Sequence, residues 1–124
     1  MNIPQNLLYT KTHEWIKVEG SKAKVGITDF AQHEITDIVH VELPEIEKII
    51  RREQPTAVIE SVKSAFDIYA PVSGKIVETN DNVLRNPELV NKSPYEEGYL
   101  FVIEVSDEKE LSDLLKADDY KKLI

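Results

Sequence analysis

Residues 59–67 read Ile59-Glu60-Ser61-Val62-Lys63-Ser64-Ala65-Phe66-Asp67, a polar turn with one lysine at its centre. The runs on either side, 56–60 and 66–70, have the β-branched and aromatic content of short strands. Together they predict a hairpin over 56–70 with Lys63 at its tip. Two-residue hairpin loops favour Asn-Gly or Asp-Gly, which accept positive φ. This turn has neither. Lys63 is therefore either an ordinary solubilising turn residue or a side chain placed at the tip for the sake of its amine.

Further out, the same short-strand pattern continues. Residues 14–27, EWIKVEGSKAKVGI, predict two strands joined at Glu19-Gly20-Ser21. Thr28 and Asp29 open a short helix near 28–35, the hydroxyl as cap and the carboxylate beside the positive helix end. Residues 37–43 alternate as a half-buried strand that Pro44 ends. On the other side, Pro71-Val72-Ser73-Gly74 is a turn and 75–80 a strand. A short helical turn is expected near Pro87, and GYLFVIEV at 98–105 is expected as a central strand. Ser106-Asp107 opens a helical tail over 107–122, with Leu111, Leu114 and Leu115 as its apolar stripe and Asp118 capping a last turn. The pattern is that of one mostly-β domain spanning 1–124.

Composition narrows the function. The 124 residues contain no cysteine, which excludes disulfides, thiolate metal sites and cysteine nucleophiles. A net charge of −8 repels phosphate backbones, so nucleic acid is not an expected partner. No apolar run has membrane-spanning length, and MNIPQNLLYTKTHEW has neither a secretory core nor an arginine-rich amphipathic leader, so a cytoplasmic location is expected. His13, His33 and His40 show no metal-ligand spacing, and His33 with Glu34 and Asp37 reads as a solvated cluster. There is no nucleophile elbow and no phosphate loop, and no metal site is expected. No independent catalytic centre emerges, which points to a carrier or binding module and not an enzyme.

The segments YTKTHEWIKVEG, VGITDFAQ, VELPE, VIESVKSAFDIYAPVSGKIVETN and NPELVNKSPYEEGYL occur in the order seen in the H proteins of the glycine cleavage system, and the chain resembles that family over about residues 7–122. The resemblance implies a lipoyl/biotinyl-type barrel-sandwich hybrid of short antiparallel strands. It implies lipoic acid in amide linkage on Lys63, and a carrier of the aminomethyl group of glycine. The implied partners are the glycine decarboxylase (P protein), the aminomethyltransferase (T protein), the dihydrolipoyl dehydrogenase (L protein) and a lipoate ligase or octanoyltransferase. Thr12, Glu14 and Asp67 match positions lining the cleft that shelters the loaded arm, where the two acids can pair with its amine. Glu60 matches a position read by the lipoylating enzyme, and serves equally well as a solubilising residue. The alternative function within the resemblance is an H-like lipoyl donor in a lipoate-transfer relay.

Residue chemistry agrees with a lipoyl tip. A lysine amine is almost entirely protonated at neutral pH, so the modifying enzyme must supply the base and this chain only the geometry. Ser61 and Ser64 leave the amine accessible, and Val62 and Ser64 stand where biotin carriers have methionine. With no cysteine, no protein thiol can trap the arm's disulfide. Trp15, Tyr69, Phe101 and Pro71 read as core and turn residues.

The chain departs from the resembled family at Glu47, Glu53 and Ala57, where glycines are usual, and at Thr36, where the family often has one. Any of these sites that needs positive φ then carries a strain of about 1 kcal/mol or more. Residues 45–54, EIEKIIRREQ, have local helix propensity, yet the fold implied by the resemblance predicts extended chain at 49–52.

Overall fold

The computed structural model describes residues 1–124. The elements are β1 (Leu8–Tyr9), β2 (Glu14–Glu19), β3 (Lys22–Ile27), α1 (Asp29–Ile35), β4 (Ile38–Glu42), β5 (Ile49–Ile50), β6 (Pro55–Ser61) and β7 (Ala65–Tyr69). They continue with β8 (Gly74–Thr79), α2 (Asn82–Arg85), α3 (Leu89–Lys92), β9 (Phe101–Val105), a 3-10 segment (Glu108–Asp113), β10 (Leu115–Lys116) and α4 (Ala117–Lys121). All pairings are antiparallel, in a seven-stranded sheet ordered β10-β1-β2-β3-β9-β8-β5 and a three-stranded sheet ordered β4-β6-β7. This is the mostly-β sandwich expected, with β9 between β3 and β8 in the large sheet.

The main core lies between the two sheets. Ile16, Val25, Phe101 and Ile103 of the large sheet and Ala57, Ile59 and Ile68 of the small one belong to the same buried cluster. Full burial of each large aliphatic or aromatic side chain stabilises by about 1.5–3 kcal/mol. A second cluster, Leu7, Tyr9, Trp15, Ala117 and Tyr120, sits at one end of the large sheet. There Tyr9 and Tyr120 stack with ring centres 4.8 Å apart.

Two expectations hold in detail and a third in part. Thr28 caps α1 by accepting from the Ala31 N–H at 3.2 Å. The hairpin forms at β6–β7, with Ile59 opposite Phe66. At 45–54 helix propensity loses to pairing: Ile49 and Ile50 lie opposite Lys75 and Gly74, leaving Ile50 1% and Ile49 70% exposed. The extended run is shorter than expected, because Arg52 and Glu53 already form a turn.

The tail corrects another expectation. It is not one helix over 107–116 but a 3-10 segment, then extended chain at Leu114 (ψ 154°), then β10 pairing with β1. The reason is that its leucines serve two cores. Leu111 and Leu114 pack on the main cluster, whereas Leu115 packs on the second. Asp118 does not cap the last helix either; it lies in the first turn of α4, whose N-cap is Lys116.

The family's missing glycines have a visible consequence. Thr36, Glu47 and Glu53 adopt φ of 70°, 77° and 70°, while Ala57 lies in β6 without positive φ, where the register with β7 shifts between Pro55 and Ala57. Each strained residue is held by a backbone bond: Thr36 N–H to Gln32 O at 3.0 Å, Glu47 N–H to Ile76 O at 2.6 Å, and Glu53 N–H to Ala70 O at 2.7 Å. His13, at φ 73°, is a fourth such residue that the sequence did not signal.

Candidate functional site

Lys63 stands at the exposed tip of the hairpin. Ser61 and Ser64 close the turn: Ser61 N–H donates to Ser64 O at 2.9 Å, and Ser64 N–H to Ser61 Oγ at 3.3 Å. Neither Val62 nor Lys63 has positive φ, so the turn needs no glycine or asparagine. Val62 beside it is 80% exposed. No carboxylate forms an ion pair with the Lys63 amine. Nothing within the fold uses this side chain.

Beside the small sheet runs an open groove of about 520 Å³, a small-molecule size. Its walls include Tyr9, Tyr69, Pro71, Leu114 and Leu115, with Thr10, Thr12 and Glu14 as the polar part. Glu14 is the unusual member, a carboxylate only 1% exposed. The hydroxyls of Thr10 and Thr12 both donate to its Oε1 at 2.5 Å, and the Tyr69 N–H donates to its Oε2 at 3.3 Å. The left-handed His13 and the Thr10–His13 turn fold these threonines back onto β2. Burial pushes the Glu14 carboxyl above its ordinary pKa, and these donors pull it partly back. No lysine, arginine or histidine forms an ion pair with it. A buried carboxyl held by neutral donors in a groove, without a counter-ion, gains its missing partner when a cation enters, which draws it to the ionised form.

Behind Glu14, the Tyr120 hydroxyl links His13 Nδ1 and Thr28 Oγ1, both at 2.8 Å. Burial lowers the His13 pKa and raises that of Tyr120, so neutral forms are favoured there.

Of the residues expected in the cleft, the structure brings Thr12 and Glu14 into one groove. Asp67 lies outside it, exposed on β7 two residues before the groove residue Tyr69 and therefore on the same strand face. Glu60 is opposite Ala65 on one side and His40 on the other. It forms a surface cluster with His40 and Glu42, whose side-chain nitrogen and oxygen atoms lie within 4.8 Å of one another. Trp15 and Phe101 are core and Pro71 a buried bend residue, as expected; Pro71 and the half-buried Tyr69 also line the groove. Sequence reasoning also missed Arg52 and Asp113, which meet at 2.7 Å beside the groove from positions 61 residues apart. No local pattern announces such a pair.

A family model described as "Glycine cleavage H-protein" matches residues 7–124. The chain is 73% identical over 124 residues to a glycine cleavage system H protein of Endomicrobium trichonymphae, covering 100% of each. It is 55% identical to one of Oceanobacillus iheyensis, covering 100% of this chain and 98% of that one. Among solved structures it is similar to a glycine cleavage system H protein from Mycobacterium marinum, with a TM-score of 0.85 and 32% identity over 97% of each chain.

Proposed function

The chain belongs to the glycine cleavage H-protein family, and from that premise we propose that it is a lipoyl carrier, acylated on Lys63, with Glu14 and Thr12 sheltering the loaded end of the arm. It is not itself an enzyme. The observation that carries this reading is the buried Glu14 carboxylate without a counter-ion, in a groove beside the hairpin that presents a free lysine. A lipoyl group fits these residues: the tip offers an unengaged primary amine, and the groove joins apolar walls to one carboxylate. When attached, the group supplies a disulfide able to take up two electrons together with a one-carbon amine fragment.

The chain's own residues do the rest. The Ser61–Ser64 turn holds Lys63 clear of the sheet, where a lipoate ligase or octanoyltransferase can reach it. Glu60, three residues before it, is the side chain proposed to be read by that enzyme. Asp67, exposed between tip and groove, attracts a cationic arm end toward the groove. Glu14 then holds the ammonium through a charge-assisted bond, and Tyr9, Leu114 and Leu115 keep water from it.

In this role the chain serves the glycine decarboxylase, the aminomethyltransferase and the dihydrolipoyl dehydrogenase in turn. The test is glycine-dependent exchange of CO2 by the decarboxylase, with and without the lipoylated chain. Stimulation by the wild type and none by Lys63→Arg is expected. Lipoylation without stimulation would contradict glycine cleavage and favour the relay, in which this chain hands its lipoyl group to another acceptor domain.

A further inference from the structure

The groove carries more charge than its sheltering role needs. Its walls hold two cations, Lys11 and Arg52, and three acids, Glu14, Glu53 and Asp113. A guanidinium is a poor neighbour for an entering ammonium, since like charges across a narrow cleft repel. Arg52, however, is not bare. Its Nη1 donates to Asp113 Oδ2 at 2.7 Å, and its Nε lies 3.9 Å from Glu110 Oε2.

The backbone fixes this pairing. Arg52 N–H donates to Ser73 Oγ at 2.9 Å. Ser73 in turn donates from its N–H and its hydroxyl to Glu110, at 2.6 and 3.0 Å. The turn at 52–53, the turn before β8 and the 3-10 segment are thereby tied into one wall. The Arg52 and Asp113 side chains are 37% and 66% exposed, so their ion pair contributes little to folding stability. Its consequence is for the field in the groove.

Resting on the reading of the groove as the shelter of the loaded arm, we propose that Arg52 and Asp113 set its charge selectivity: Asp113 masks the guanidinium on the groove wall so that a primary ammonium can settle beside Glu14. Arg52 and Asp113 are positioning residues; neither touches the reacting atoms. The two partners of one contact then have opposite effects. Removing Asp113 leaves the guanidinium only its longer contact with Glu110 and so unmasks it in part, whereas removing Arg52 leaves Asp113 a free acid. A purely structural wall would weaken in the same direction for both.

The experiment uses the full chain lipoylated at Lys63, oxidised or loaded by the glycine decarboxylase. Groove occupancy is read from the amide shifts of Thr12 and Tyr69, with the unlipoylated chain as reference. Asp113→Asn should lower the occupancy constant of the loaded arm about two- to fivefold, and Arg52→Gln should raise it by a similar factor. The uncharged oxidised arm should respond to neither, and high salt should shrink both effects. Both variants are surface changes, and their folding is checked by the unchanged shifts of core amides. Shifts of occupancy in the same direction, or no shift in either while Glu14→Gln empties the groove, would overturn the proposal and leave the shelter reading standing. If Glu14→Gln leaves the loaded arm's occupancy unchanged, the shelter reading fails, and the proposal with it.

Discussion

Two turns in this chain lack the glycine that their positions invite, and they solve the problem differently. The hairpin turn at Val62-Lys63 uses no positive φ and is closed by Ser61 and Ser64. The turn at Arg52-Glu53 needs positive φ and takes it on a glutamate; Thr36 and Glu47 also adopt positive φ elsewhere. The first is relaxed and exposed, so its side chains are free to be chosen for chemistry. The second is strained, and its neighbour Arg52 is held beside the groove. Lack of glycine therefore means opposite things at the two places.

The largest expected effect is on the relaxed turn. Lys63→Arg keeps charge and fold but removes the acylable amine, so lipoylation and carrier activity should vanish while Tm stays unchanged. A variant that is still acylated, checked by intact mass, would break the assignment. Next comes the most strained site. Thr36 combines φ 70° with ψ −146°, a region that is nearly glycine-only. Thr36→Gly should stabilise by about 1–3 kcal/mol, read as a higher midpoint in urea with unchanged slope. A third pair tests the contrast itself. Glu53→Gly should gain about 1 kcal/mol, whereas Val62→Gly should lose up to about 1 kcal/mol, because only the first relieves strain. Equal effects in both would erase the distinction between the turns. The smallest effect belongs to Asp67→Asn, which should shorten the lifetime of the loaded form by no more than about fivefold, since Asp67 is exposed and screened. A much larger loss would place Asp67 inside the shelter with Glu14.

Much of the molecule was legible in the sequence, for local reasons. The hairpin, the Thr28 cap and the strand ending at Val105 each declare themselves within a few residues, through turn chemistry, capping or β-rich runs. The illegible parts depend on distant partners. Helix propensity at 45–54 is overridden by pairing with β8, and the leucine stripe of the tail divides because two cores compete for it. Nothing local marks Glu14 as buried; the Thr10–His13 turn and β7 close over it. The positive φ at Thr36, Glu47 and Glu53 is not legible either, because a resemblance says where glycine is usual and not whether φ changes with its loss.

The proposed function requires the relaxed tip to present one amine for acylation. It is tested most directly by incubating the folded chain with a lipoate ligase, ATP and lipoate, followed by intact mass and peptide mapping. One lipoyl increment, located on Lys63, is expected. No increment, with a second H protein modified in the same reaction, would contradict it.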